Sequence, residues 1–398
     1  MKLGYKQTEV GVIPEEWEVR SLDSIATMVA SGRSKAGAAF GSYPVHGSTG
    51  IIGFTQKPEY EGDAILAARV GANAGKLNFV TGRYGVTDNT IMLRLSSECC
   101  LPFFWRQLET KRLNSLVFGS GQPLITGTQL KALRLVVPSL SEQRAIAEAL
   151  GDVDALVGAL DSLIAKKNDL KQAAMQQLLT GQTRLAGFKG KWEVKTFGEL
   201  FNFSGGYSAS REQLSSEGHC YLHYGDIHKS SKTFVDVRAE YQDIPKLDIS
   251  LSRVSPGSLL NDGDVVFVDA SEDDAGTSKH VIVVNKEKRP FISGLHTIVA
   301  KSKTSELAHE YRRYCFQTKA IREQFLFYSV GTKVSGISKS NIPKLKLPVP
   351  SVPEQATIAG VLSEMDAELA GLERRREKTV ALKEGMMHEL LTGRTRLV

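Results

Sequence analysis

The densest collection of potential ligand residues in this chain is the run from His219 to His228, HCYLHYGDIH, which gathers His219, Cys220, His223, Asp226 and His228. Imidazole, thiolate and carboxylate are the donors a zinc site uses. An extended strand, however, sends successive side chains to opposite faces, so these ligands divide between two surfaces and no tetrahedral set is expected. A second candidate, GANAGKL from Gly71, is one residue short of a phosphate-cradling loop and lacks the hydroxyl residue after Lys76. The chain has no Asn-Pro-Pro-aromatic tetrapeptide, and no glycine-rich cofactor turn follows a convincing strand. The residues therefore predict neither a metal site nor a catalytic constellation.

What remains is a set of polar, aromatic and basic residues in glycine-rich segments. In the first half these are Tyr43, His46, Ser48, Arg69, Asn73, Lys76 and Gln122; in the second, Tyr207, Tyr224, His228, Lys229, Lys232, Lys279 and Lys333. Arginine and asparagine can read guanine and adenine edges, while lysine mainly neutralises phosphate. The same residue types also serve as turn formers and solvated surface. Charge distribution bears on the choice. The net charge is +6, yet the segments 141–179 and 353–391 are both acidic, so the rest of the chain carries the basic excess that a phosphate-binding surface needs.

Those two acidic segments are copies of each other. The sequence from Pro138 to Leu185 returns without a gap 212 positions later, from Pro350 to Leu397, with about 20 of 48 positions identical. Fainter echoes precede each copy: WEVRSL from Trp17 matches WEVKTF from Trp192, and RLVVP matches KLPVP. The chain thus reads as two half-proteins in tandem. Ile146, Leu150, Val153, Val157, Leu160 and Ile164 in the first copy, and Ile358, Leu362, Met365, Leu369 and Leu372 in the second, follow the alternating three-four spacing of a coiled-coil seam. Ser141 marks the first helix start, and Thr-Gly at 180–181 and 392–393 supplies left-handed stops. Each helix spans about 39 residues, or roughly 58 Å.

Acids dominate the early half of each helix and bases the late half, with Lys166, Lys167 and Lys171 in one and Arg374, Arg375, Arg376, Lys378 and Lys383 in the other. Helix-dipole bias explains the pattern within each helix. Antiparallel pairing additionally sets acid against base along the whole length, and this is the expected arrangement, giving a dumbbell with a pseudo-twofold axis. Arg376 and Lys383 fall where the seam expects apolar residues, through either snorkelling or a docked partner.

Between the helices the sequence alternates short glycine-bounded strands with aromatic helices. SYPVHGSTGIIGF, EGDAILAARVG and GVTDNTIMLRL read as strands and SECCLPFFWRQLETKRL as a helix; GDVVFVDA, ISGLHTIVA and ELAHEYRRYCFQTKAIREQF hold corresponding places in the second half. Four cysteines without a CxxC pair read as reduced and structural. No apolar run is long enough to span a bilayer and the first residues carry no apolar signal core, so a cytoplasmic protein without membrane contact is expected.

The repeated Pro-Ser-x-x-Glu-Gln, with its long helix ending Leu-Leu-Thr-Gly-x-Thr-Arg-Leu, resembles the specificity subunit of type I restriction-modification enzymes. YPVHGSTGIIGF and FGSGQPLI look like one of that family's target-recognition domains, and YLHYGDIH, DVVFVDASEDDAGTSKH and GLHTIVA another. The resemblance covers essentially the whole chain. It implies an α+β protein of two mixed recognition domains, residues 1–137 and 185–349, with helical regions at 138–184 and 350–398. It implies a non-catalytic subunit whose domains each read half of a split duplex-DNA site. Two methyltransferase subunits would dock on the helices, and two motor-nuclease subunits would complete a restriction enzyme. S-adenosylmethionine, ATP and magnesium would belong to those partners. The rival reading is a coiled-coil scaffold presenting two protein- or glycan-binding domains, which leaves the basic excess of the globular parts unexplained.

Overall fold

The computed structural model describes residues 4–117, 124–230, 232–271, 278–330 and 335–397. Two candidates, Gln122 and Lys333, lie outside them, as does the side chain of Lys229. The chain divides into two compact units, Met1–Ser162 with Glu373–Val398, and Leu163–Leu372. Each unit therefore combines one globular domain with the early half of one long helix and the late half of the other.

In the first unit the central strand Ala64–Ala68 is buried at every position. Its alternating side chains serve two cores. Ile65 and Ala67, with Ile91 and Leu93 of the strand Thr90–Leu95, pack against Phe103 and Phe104 from the helix Leu101–Thr110. Ala64, Leu66 and Met92 face the other way, against Tyr84 and Val86. The sheet runs Ala26–Ser31, Thr90–Leu95, Ala64–Ala68, Leu77–Val80, all antiparallel. A second sheet places the hairpin Tyr43–Gly47 and Gly50–Thr55 beside Arg83–Val86, and here Tyr43–Gly47 and Arg83–Val86 are parallel.

The second unit repeats this plan with different residues. Its sheet runs Phe201–Gly205, Thr297–Ser302, Val265–Val268, His280–Val284, with Phe234–Asp236 added at the edge. Val265 and Phe267 face the helix-covered core, whereas Val266 and Val268 face the other core. Its second sheet again contains one parallel pair, His219–Leu222 with Phe291–Ser293.

Several sequence expectations need correction. GVTDNTIMLRL is two strands, Arg83–Val86 and Thr90–Leu95, because Thr87–Asn89 turns the chain. YLHYGDIH leaves its strand at Leu222: His223 accepts the Gly225 amide at 3.0 Å and caps the short helix Tyr224–Lys229. The aromatic helix of the second half splits into His309–Cys315 and Lys319–Tyr328, the latter capped by Thr318. The first long helix covers Leu140–Leu179, and its cap is Ser139, whose hydroxyl accepts the Glu142 amide, rather than Ser141. The second covers Val352–Leu391, also 40 residues. Both end as expected at a left-handed glycine, Gly181 at φ 72° and Gly393 at φ 68°.

The helices pair antiparallel. In the first unit Lys383 meets Asp154 at 2.6 Å and Arg376 meets Asp161. In the second, Lys167 meets Glu368 at 2.6 Å and Lys171 meets Asp366. Every pair joins a basic late half to an acidic early half, the complementarity that the charge pattern required. Arg376 and Lys383, the two irregular seam positions, reach carboxylates on the facing helix. Along the seam, Ile146, Leu150, Leu160, Ile358, Leu362 and Leu369 are buried, while Val153, Val157, Ile164, Met365 and Leu372 are partly exposed. Burial is deepest where a globular domain covers the helix: Ile146 and Leu150 join the first domain's core, Ile358 and Leu362 the second's. Among the described residues no helix is long and apolar enough to cross a membrane.

Candidate nucleic-acid interface

The repeated motif residues build a joint that holds each domain to its helices. In the first unit the buried Glu142 carboxylate accepts the Trp17 indole N–H at 3.0 Å and the Arg396 guanidinium at 3.0 Å. In the second, Glu354 accepts Trp192 at 3.1 Å and Arg184 at 2.7 Å. The adjacent glutamines repeat as well: Gln143 accepts the Cys100 amide and donates to the Pro138 carbonyl, and Gln355 accepts the Ala308 amide and donates to the Pro350 carbonyl. At Gly393 a Cβ would fall 2.5 Å from the Pro14 ring, so the first joint closes only around glycine, whereas at Gly181 the nearest atoms, of the Trp192 ring, lie at 3.5 Å. Burial this deep is tolerated because both carboxylate oxygens are paired and hydrogen-bonded. In the sequence these motifs serve as repeat, cap and family signals and do not by themselves disclose the joint. The recurrence of Glu and Arg at one offset, Glu142 with Glu354 and Arg184 with Arg396, each copy preceded by a WEV tryptophan, was the signal that could have revealed the joint.

With the domains fixed in this way, each presents the carboxyl end of its parallel strand pair, and the backbone there repeats bond for bond. The amide of Thr87 donates to the carbonyl of His46, as Gly294 does to Leu222. Gly32 donates to Thr90, as Gly206 does to Thr297. Both glycines are obligatory, because a Cβ would lie 2.0 Å from the Val86 carbonyl oxygen and 1.6 Å from that of Gly294. Arg69 donates its amide to Asn89 and Asp269 to His296; the Arg69 and Asp269 carbonyls accept from Ile125 and Ile337. Ala68 donates to Lys76, as Val268 does to Lys279. Hence Arg69 and Asp269 occupy one backbone slot, and Lys76 and Lys279 another.

At this edge the His46 and Arg69 backbones meet the turn Thr87–Asn89 and Ser48 follows in the adjoining hairpin turn. Asn73 and Lys76 line a separate cleft with Glu109 and Arg112, and Tyr43 lies at the opposite end of its strand and bonds Arg83. His46 is half-buried, edge-on to Tyr84 at 6.0 Å, and burial lowers its pKa. The nearby hairpin leaves Ile51 and Ile52 exposed. In the second unit Tyr207 and Tyr224 sit at the matching edge: the Tyr207 carbonyl accepts Tyr221 Oη–H at 2.8 Å, and the Tyr224 ring lies 4.7 Å from His223 and 5.3 Å from His296. His223 is lowered by burial and then by Arg211, and Asp269, beside His296, is raised by burial. Lys232 and Lys279 are removed from that edge and line a cleft of about 380 Å3 with Arg322 and Gln172. Lys232 pairs with Glu240 at 2.5 Å, and Lys279 donates to the His228 carbonyl. Asp269 and His296 were missed by sequence reading, since only the register with the first unit singles them out.

A family model for the type I restriction modification DNA specificity domain matches residues 14–172 and again residues 189–382. The chain is similar to the putative type I restriction enzyme MjaX specificity subunit of Methanocaldococcus jannaschii, 24% identical over 99% of this chain and 97% of that protein. It is also similar to the type I restriction enzyme MjaVIII specificity subunit of the same organism, 24% identical over 84% of this chain and 79% of that one. Among solved structures, the S subunit of a type I restriction-modification system from M. genitalium has a TM-score of 0.60 at 18% identity, over 98% of this chain and 99% of that one, a likeness of fold. With one match on each half and most of the chain covered, the protein belongs to the family of type I restriction modification DNA specificity domains.

Proposed function

We propose that this chain is the DNA-specificity subunit of a type I restriction-modification system, itself without catalytic activity, and that each domain reads one half of a bipartite duplex site. The observation that carries this reading is the pairing of two equal joints, at Glu142 and Glu354, with two unequal strand-pair edges, at Arg69 and Asp269. A frame repeated in detail with divergent edges suits two readers of two different base sequences. The helices act as the ruler between half-sites, each 40 residues or about 60 Å long. Half-sites one turn apart on one face of the duplex lie about 34 Å apart, the separation such a ruler would set.

Two methyltransferase subunits dock on the helical regions, and two motor-nuclease subunits join them in the complete restriction enzyme. S-adenosylmethionine, ATP and magnesium act on those partners, in the cytoplasm. Mapping adenine methylation in a host that expresses this chain with its methyltransferase tests the reading. A single split motif is expected; methylation without a motif, or methyl transfer by the purified chain alone, would refute it. Inserting one helical turn into either long helix adds 5.4 Å and should lengthen the preferred spacer by about one to two base pairs. An unchanged spacer sinks the ruler.

A further inference from the structure

The two domains place opposite charges in one backbone slot. Arg69 and Asp269 each follow the central strand, donate to the turn after the parallel pair, and accept from the returning chain at Ile125 or Ile337. The slot is therefore set by the fold, and only the side chain differs. Arg69 reaches Ser31 Oγ at 3.4 Å and the Asp88 carbonyl at 3.5 Å, both through Nη1 and both at the limit of a hydrogen bond. No carboxylate pairs with it among the described residues, so most of its five N–H donors are unspent. Asp269 lies 3.3 Å from His296 Nδ1 through Oδ1. That oxygen is buried without a well-formed hydrogen bond, while the carboxylate side chain as a whole keeps 33% of its surface exposed. His296 holds a left-handed conformation at φ 59°, unusual for a residue with a Cβ, and this fixes its ring beside Asp269 and Tyr224. In both domains the neighbouring slot carries a lysine, Lys76 or Lys279.

On the reading proposed above, we infer that Arg69 and Asp269 are specificity-determining residues, one for each half-site. Arg69 reads the O6 and N7 acceptors of a guanine. Asp269 accepts from an exocyclic amine, that of cytosine being the usual partner of a carboxylate in the major groove. An unspent planar fork suits two parallel acceptors, and a carboxylate held by a histidine suits a donor and repels a phosphate.

The test uses the full chain with its methyltransferase and sequences the methylated sites of Arg69→Gln, Arg69→Lys and Asp269→Asn. Arg69→Gln should reduce guanine preference at one position of one half-site by about 5- to 150-fold and leave the other half-site unchanged. Asp269→Asn should do the same at one position of the other half-site. Arg69→Lys keeps the charge but not the fork, and should also lose the preference. The inference is overturned if the motifs do not change, if all sites weaken alike, or if lysine restores the wild-type motif, since those outcomes mark a phosphate contact or a bystander. Melting temperatures of the variants within a few degrees of wild type show that the domains remain folded. If the wild-type complex has no split motif, the functional reading fails instead.

Discussion

The joint at Glu142 and the joint at Glu354 are the same object built twice, whereas the edges at Arg69 and Asp269 share a backbone and differ in chemistry. In each joint a tryptophan, a buried glutamate and an arginine close on a left-handed glycine. At each edge the amide and carbonyl bonds agree, yet Arg69 corresponds to Asp269, Asn89 to His296 and His46 to Leu222. Burial explains the contrast. A charge enclosed with its partners tolerates no substitution that leaves one of them unpaired, while an edge whose hydrogen bonds run through backbone accepts almost any side chain.

The largest effect should come from breaking a joint. Glu142→Gln and Glu354→Gln each remove the charge that Arg396 or Arg184 faces, and each should cost about 2–4 kcal/mol in denaturant unfolding. The two losses should agree within about 1 kcal/mol. A cost confined to one of them would break the equivalence of the joints.

Acid should separate the two units by a similar amount. Opposite Phe267 in the second unit stands His280, fully buried against Phe267 and Phe316, its pKa pushed down to about 4 by burial. The matching position in the first unit, opposite Ala67, is Leu77. Folded His280 stays neutral while the unfolded chain takes up a proton below about pH 6.5, so stability is lost as pH falls from 6.5 towards 4, by about 3 kcal/mol in all. Hydrogen exchange across that range should show the second unit opening first, and His280→Leu should flatten its pH dependence. Equal acid sensitivity of the two units would contradict the assignment.

The smallest effect belongs to Arg376. Its pair with Asp161 is about half exposed on both sides, so Arg376→Ala should cost about 0–1 kcal/mol and leave the site map unchanged.

The frame was legible in the sequence because it depends on periodicity and charge sign, which one chain displays twice. The seam spacing and the acid-to-base reversal lead to the antiparallel pair, and the Thr-Gly dipeptides to its ends. The edges were only partly legible. His46 and Arg69 stood out as polar residues among glycines, but Asp269 and His296 acquire meaning only once the repeated backbone bonding shows that they hold the positions of Arg69 and Asn89. Chain breaks were misjudged where turns lack glycine or proline, as at Thr87–Asn89, where backbone bonding alone ends the strand. The helix cap was misread by two residues because Ser139 and Ser141 are equally good caps by type.

Exchange of residues 187 to 349 for the corresponding segment of another family member, followed by sequencing of methylated sites, tests the central claim most directly. One frame carrying two independent readers predicts a motif in which one half-site changes while the other half-site and the spacer persist. A change in both half-sites, or in the spacer, would contradict it.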